Sequence, residues 1–375
     1  MLRFVTAGES HGPSLVAILD GLPAGVPIDV QRLQQEMRRR QLGYGRGPRM
    51  QLETDTVELL SGVRRGITLG SPVALMIKNK DASIDRLPVV TQPRPGHADL
   101  TGAIKYDHRD IRNVLERASA RETAARVAVG AVCQQLLASL DITLASHVTA
   151  LGSVRATPAV AASATALRAK VDGTPLRCVD SAATKQMIRQ IDAAVKTGDT
   201  LGGVFEVLAF GVPPGLGSYV QYDRRLDAIL GRAILSIHAV KAVEIGDGVL
   251  GASLPGSSVQ DEIFYKKGAG FRRSSNRAGG FEGGMTTGQP IVVRGFLKPL
   301  STLRKPLRSV EINTKRPVVA TVERTDVTTV PAAGVIGEAM IAFELARAVL
   351  EKFGSDSLRE LQRNHQSYLR QVAQF

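Results

Sequence analysis

The sequence predicts a mixed helix–strand protein made of two similar halves, and two observations carry that reading. Helical and strand-like patterns follow one another without the strict alternation of a parallel α/β sheet. A weak internal repeat also aligns Glu9-Ser10-His11-Gly12 with Asp199-Thr200-Leu201-Gly202, and Gly21-Leu22-Pro23-Ala24-Gly25 with Gly211-Val212-Pro213-Pro214-Gly215, both at an offset of 190 residues. Each copy reads as an acidic turn, an apolar strand, a Pro/Gly turn and a helix that an Asp can cap.

Asp29 caps a first helix whose apolar stripe is Val30, Leu33 and Met37, with Arg38 to Arg40 at its C-terminal end, where cations also suit the helix dipole. Strand-like runs follow at Val57 to Gly62 and Val73 to Lys78. Asp110 opens a long helical pattern through Ile111, Val114, Leu115 and Ala118, then Ala125 to Leu140, apolar on most sides after residue 123. Ile142 to Leu151 reads as strand and Ala-rich Ala156 to Ala169 as a surface excursion. Helices fit Thr184 to Lys196, Asp223 to Val240 and Val335 to Phe353, the first and last closed by Gly198 and Gly354. Strands fit Val204 to Phe210, Ile291 to Leu297 and Val318 to Val322. No stretch is long enough in Pro, Gly or Ser to read as a linker, so residues 1–375 are expected to form one domain.

Composition narrows the function. The 375 residues are 43% hydrophobic with a net charge of +13, and the pI is about 10.0. Such a balance points to an acidic partner. Nucleic acid is disfavoured, because aromatics are only 4%, Trp is absent and no basic tract stands apart. Cys133 and Cys178 match neither a disulfide framework nor a zinc site, which suits a reduced cytoplasm. No segment reads as a signal peptide or as a membrane span.

Two histidine motifs, Gly8-Glu9-Ser10-His11-Gly12 and Lys105-Tyr106-Asp107-His108, are each followed by arginines. The first precedes Arg38-Arg39-Arg40 and Arg46 to Arg49, and the second precedes Glu116-Arg117-Ala118-Ser119-Ala120-Arg121-Glu122-Thr123. Imidazoles exchange protons near neutral pH, and guanidinium forks hold carboxylates and phosphates. Arg117 and Arg121 lie one helical turn apart; taken alone, pairing with Glu116 or Glu122 explains them as well as an anion does. The Gly-rich run Gly279-Gly280-Phe281-Glu282-Gly283-Gly284 permits close backbone approach to a phosphate but also suits a plain turn. Arg324 and Asp326, two apart in an extended segment, share a face and alone read as a strand-end salt bridge.

In order along the chain, these segments resemble the chorismate synthase family. The match includes Gly8 to Gly12, Arg94-Pro95-Gly96-His97-Ala98-Asp99, Arg117 to Thr123, Ser275-Asn276-Arg277-Ala278-Gly279-Gly280, Glu282-Gly283-Gly284-Met285, Lys298 to Thr302 and Pro331-Ala332-Ala333-Gly334. The resemblance implies an α+β sandwich with helices between two antiparallel sheets, assembled as a homotetramer. It implies an anti-1,4-elimination of phosphate from 5-enolpyruvylshikimate 3-phosphate, giving chorismate with reduced FMN. About six negative charges then meet in one pocket. At an effective dielectric near 20, each contact pair is worth about 4 kcal/mol before desolvation, which accounts for the arginines.

Residue by residue, the resemblance implies Arg40, Arg46, Arg49, Arg121 and Arg324 as the substrate's anion clamp. Arg40 and Arg46 also match positions associated with NADP, making NADPH a candidate reductant. His11 corresponds to the acid beside the leaving phosphate, His108 to the proton donor to the flavin ring, and Asp326 to the carboxylate that removes the substrate proton. Flavin contacts are implied for Arg117, Ala118, Ser119, His238, Ala239, Gly283, Lys298, Pro299, Leu300, Ser301, Thr302 and Arg324. Ala118 stands where many members have serine and His238 where an amide is usual. His97 and His147 are expected to be structural. A flavin-dependent oxidoreductase and a basic RNA-binding protein are the alternative readings.

Overall fold

The computed structural model describes residues 1–47, 54–158, 161–268, 270–323 and 325–375. Its first half runs β1 (Arg3–Ala7), β2 (Ser14–Asp20), α1 (Val30–Gln41), β3 (Val57–Ser61), β4 (Val73–Lys78) and α2 (Thr123–Ala138). The second half repeats that order as β5 (Thr143–Leu151), β6 (Gly203–Phe210), α3 (Leu226–Leu235), β7 (Val240–Ile245), β8 (Ile291–Leu297) and α4 (Val330–Phe353). The sheets are ordered β1-β2-β4-β3 and β5-β6-β8-β7, the second extended beyond β5 by the two-residue strand Val154–Arg155. All of these pairings are antiparallel.

The repeat holds down to single hydrogen bonds. Thr68 Oγ1 donates to Pro23 O (2.6 Å) and accepts from Val26 N (2.8 Å). Thr286 Oγ1 donates to Pro213 O (2.6 Å) and accepts from Leu216 N (2.9 Å). The two turns therefore close on equivalent hydroxyls. Gly21 and Gly211 both need positive φ (+87° and +76°), and a Cβ would strike Met1 O or Asp141 O.

Helices fill the space between the sheets. α2 backs the first sheet, α4 the second, and α1 and α3 flank them. α2 and α4 meet where a Cβ on Gly130 would lie 2.4 Å from Ala339 Cα, so only a missing side chain allows that approach. One hydrophobic cluster runs through both halves, from Leu2 and Leu19 through Leu136 and Phe205 to Val349 and Leu361. The molecule is thus an α+β sandwich with helices between two antiparallel sheets.

Several element boundaries differ from expectation. The helix expected from Asp110 to Leu140 is interrupted, with a short piece at Arg112–Leu115 and a 3₁₀ turn at Ala120–Glu122 before α2. Ser119 is extended there (ψ 142°), and its Oγ accepts from Arg121 N, capping the turn. Arg117 and Arg121 accordingly do not share a helix face. The run Asp223 to Val240 contains only α3 before β7 begins. Within Ala156 to Ala169, Ala164–Val171 is a helix that buries Ala164, Leu167 and Val171 against the second sheet rather than a surface excursion. Val30 is 44% exposed, so Leu33 and Met37 carry the α1 stripe.

Candidate active site

Asp29 accepts from the N–H groups of Gln31 and Arg32, starting α1 and delivering Arg40 to its final turn. Arg40 is 3% exposed. Its Nη2 donates to Asp55 Oδ2 at 2.8 Å, and Arg121 Nη1 donates to the other oxygen of the same carboxylate. Burial would raise the Asp55 carboxyl, but the two guanidiniums outweigh it and hold its pKa below the usual range. Burial also pulls Arg40 down; Asp55 opposes this, while Arg121 and Arg46 add to it. Arg46 closes the group by meeting Asp326 Oδ2 at 3.0 Å, with the Gly47 N–H on Oδ1. Among the described residues three cations thus gather around two carboxylates, and the buried Arg40 Nε has no hydrogen-bond partner. Guanidiniums gathered in this way are suited to holding an anion.

Asn79 ties this cluster to the first histidine. Its side chain accepts from Arg121 Nε (3.0 Å) and donates to Glu9 O (3.1 Å) and Gly12 O (2.8 Å). Between those carbonyls lies His11, whose Nδ1 is 2.9 Å from Glu116 Oε2 and whose own N–H donates to the same oxygen at 2.9 Å. Arg112 Nη1 donates to Glu116 Oε1 at 3.1 Å. Burial would raise the Glu116 carboxyl, but His11 and Arg112 hold it below its ordinary value. An ionised Glu116 fixes the proton on Nδ1 and turns Nε2 outward, 4.0 Å from Asp81 Oδ2. The His11 side chain is 19% exposed, so that edge is accessible.

A second group of polar atoms lies around Gly96. Lys298 Nζ donates to Gly96 O (2.9 Å) and Ser301 Oγ (2.8 Å), and Ser301 Oγ donates to Gly96 O (2.7 Å). Thr302 Oγ1 accepts from Arg94 Nη1, Leu300 O from Thr200 Oγ1, and Ala239 O from Lys298 N, with Pro299 between. Arg94 in turn grips the buried Asp99, which also holds His97 Nδ1 at 2.5 Å. His238 faces Arg126, Glu122, His97 and Arg117; burial first, then Arg126, push its pKa down to about 4. Among the described residues its buried Nδ1 has no hydrogen-bond partner. Arg117 reaches the carbonyls of Gly8 (3.0 Å) and Thr6 (2.8 Å), and Ser119 Oγ meets Ser10 Oγ at 3.2 Å.

The structure therefore groups most of the expected residues. Arg40, Arg46, Arg121 and Asp326 form one cluster, and His11 adjoins it through Asn79. Arg117, Ser119, His238, Ala239 and Lys298 to Thr302 form the second. His108 lines a groove of about 750 Å³ that begins at Gly96 and His97 and runs between the helix Asp99–Tyr106 and the Arg308–Val310 strand. Ala118 offers no side-chain hydrogen bond. Gly283 does not join either cluster. It sits at the Phe281–Thr286 hairpin beside Tyr219, at the opposite end of α3 from His238. Arg49 and Arg324 lie outside the described residues; among those described, Arg46 meets Asp326. His147 is structural, paired at 2.9 Å with buried Glu206. Sequence reasoning gave no role to Asp55, Asn79 or Arg112, and read Glu116 only as an ion-pair partner for the Arg117–Arg121 pair, whereas it meets His11 and Arg112. Only Glu116 carried a signal, standing directly before Arg117 in the matched block.

Together, the fold and the pocket set a histidine and several guanidiniums where a small anion can be held. The family model described as chorismate synthase matches residues 2–350. A chorismate synthase of Symbiobacterium thermophilum is 54% identical over 389 residues, covering 99% of this chain and 100% of the relative. One of Solibacter usitatus is 55% identical over 390 residues, covering 100% of both. A solved structure titled Crystal Structure of Chorismate Synthase superposes with a TM-score of 0.82 at 43% identity, over 100% of this chain and 99% of that one. The chain belongs to the chorismate synthase family and is a carbon–oxygen lyase.

Proposed function

We propose that the chain converts 5-enolpyruvylshikimate 3-phosphate to chorismate by anti-1,4-elimination of phosphate, the last common step towards the aromatic amino acids. The observation that carries this reading is His11, oriented by Glu116 beside a cluster of buried guanidiniums. Arg40, Arg46 and Arg121 bind the substrate's anionic groups, joined by Arg49 and Arg324. His11 protonates the departing phosphate through Nε2. Asp326, paired with Arg46, receives the proton from the ring carbon.

Reduced FMN fits the second cluster, because Arg117 and Lys298 supply charge for its phosphate while the partnerless His238 Nδ1 offers a buried hydrogen-bonding atom. Ser119, Ala239 and Lys298 to Thr302 complete that wall, and Gly283 belongs to it only through another copy of the chain. When bound, reduced FMN supplies transient electron density to the allylic carbon–oxygen bond and ends unchanged. His108, in the groove beside Gly96 and His97, holds a proton at that edge. We read residues 1–375 as one catalytic unit, assembled as a homotetramer in the cytoplasm, with NADPH a candidate reductant for the flavin.

The test is anaerobic phosphate release from the substrate, with and without reduced FMN. Many turnovers per flavin are expected; a one-to-one limit would make the flavin a stoichiometric reductant, and net hydride transfer would make the chain an oxidoreductase. His11→Ala should lower turnover by roughly 10²–10⁴-fold with little change in substrate affinity, the mark of acid catalysis. Weakened binding at unchanged turnover would reduce His11 to a phosphate contact.

A further inference from the structure

His11 stands in the turn between β1 and β2, and the segment after β4 holds that turn by its carbonyls. Lys78 pairs with Ser14 at the end of the β2–β4 ladder, which brings the next residue, Asn79, alongside the turn. Asn79 N donates to Pro13 O at 3.1 Å, and Ile84 N donates to His11 O at 3.0 Å. The Asn79 side chain adds two bonds, donating from Nδ2 to Glu9 O at 3.1 Å and to Gly12 O at 2.8 Å. The carbonyls of Glu9, His11, Gly12 and Pro13 thus all hang on one short segment.

The other end of the same amide faces the guanidinium cluster. Arg121 Nε donates to Asn79 Oδ1 at 3.0 Å, while Arg121 Nη1 donates to Asp55. A guanidinium can only donate and a backbone carbonyl can only accept, so one orientation of the amide serves all three partners. Aspartate at this buried position would set a carboxylate against two carbonyls, and leucine, of similar shape, would meet none of the three. An anchor for the turn alone would need only the two donors. The acceptor turned to Arg121 ties the placement of the imidazole to the arginine that receives the substrate.

We infer, resting on the reading of His11 as the acid and Arg121 as part of the anion clamp, that Asn79 is a positioning residue for the elimination. It fixes the His11 turn relative to Arg121, and so sets the ring against the group that Arg121 binds. Its effect runs through His11, where a misplacement of about 1 Å is enough to cost about 10²-fold in rate.

A double-mutant cycle on the full chain tests this, reading kcat and KM for anaerobic phosphate release with reduced FMN. Asn79→Ala should lower kcat by about 10²-fold, with KM within about threefold because Asp55 still holds Arg121. In a His11→Ala background the same substitution should change kcat by less than about threefold, since the ring it positions is already gone. An equal loss in both backgrounds would make Asn79 a structural anchor, overturning the positioning role while leaving His11 as the acid. Wild-type kcat in Asn79→Ala would overturn it too. Should Asn79→Ala fail to fold by circular dichroism, Asn79→Asp takes its place in the cycle. That variant keeps an acceptor for Arg121 but has nothing to donate to the turn, and its loss of kcat should likewise vanish without His11. A His11→Ala chain as fast as the wild type overturns the acid reading and the positioning role together.

Discussion

Glu116 does more for the site than its sequence neighbours suggest, because one buried carboxylate receives the His11 ring, the His11 backbone and Arg112. It fixes the His11 ring through a charge-assisted hydrogen bond, so Glu116→Gln should lower turnover while substrate affinity changes little. Unchanged turnover would leave Glu116 a loop anchor. His238 makes a different demand. Its folded pKa near 4 lies below the usual 6.5, so the unfolded chain takes up its proton first and stability falls as pH drops from about 6.5 to 4. His238→Asn should flatten denaturant midpoints across that window without flavin present; an unchanged slope would show the imidazole is charged in the folded state. Arg40, Arg121 and His11 were singled out through the family's ordered motifs rather than by residue type, and the structure brings them close together. Asp55 and Asn79 were not, since a lone carboxylate or amide gains meaning only once folding sets it between two guanidiniums or two loops.

At the scale of elements, periodicity served where burial is one-sided and failed where local hydrogen bonds override it. β4 and β8 were legible to the residue, since each reads as a bounded β-rich run. The long helix from Asp110 was not, because Ser119 caps a new turn inside an otherwise helical pattern. The closing helix Leu358–Gln374 was missed although Leu358, Leu361, Tyr368 and Val372 recur at helical spacing, and its start carried a further signal: Ser357 Oγ accepts from the Glu360 N–H, the Ser-x-x-Glu cap. Gly130 gives the element scale its own test. It is an unremarkable helical glycine in sequence, but a side chain there would collide with the Ala339 backbone. Gly130→Leu should cost about 1–3 kcal/mol or more by overpacking α2 against α4, read as a lowered midpoint in thermal melts. A melt matching the wild type would mean the two helices can slide apart freely.

The whole molecule is pinned by a buried ion network that no single element announces. Glu338, fully buried on α4, receives Arg39 Nη2 of α1 at 2.8 Å, Arg168 Nη2 at 2.6 Å, Arg177 Nη2 at 3.3 Å and Ser146 Oγ of β5 at 2.6 Å. Glu36 and Asp172 complete it, so three guanidiniums meet three carboxylates. The network joins the first half through α1 to the second through α4, β5 and the helix over the second sheet. Burial would raise the Glu338 carboxyl, but Arg39, Arg168 and Arg177 bring it down to about 2. A carboxyl depressed on folding contributes stability that is complete above its unfolded value, about 4.3, and lost as pH falls towards the folded one. Glu338→Gln keeps the shape but leaves the buried Arg39 and Arg177 and the half-buried Arg168 against two carboxylates, and a broken buried pair typically costs about 3–5 kcal/mol. Urea melts should therefore show the variant weaker near neutral pH, with the gap narrowing between about pH 4.3 and 2 as the wild type loses the same interaction. A gap that stays constant through that range would mean Glu338 is already protonated in the folded chain, and that the halves are held together by their apolar core alone.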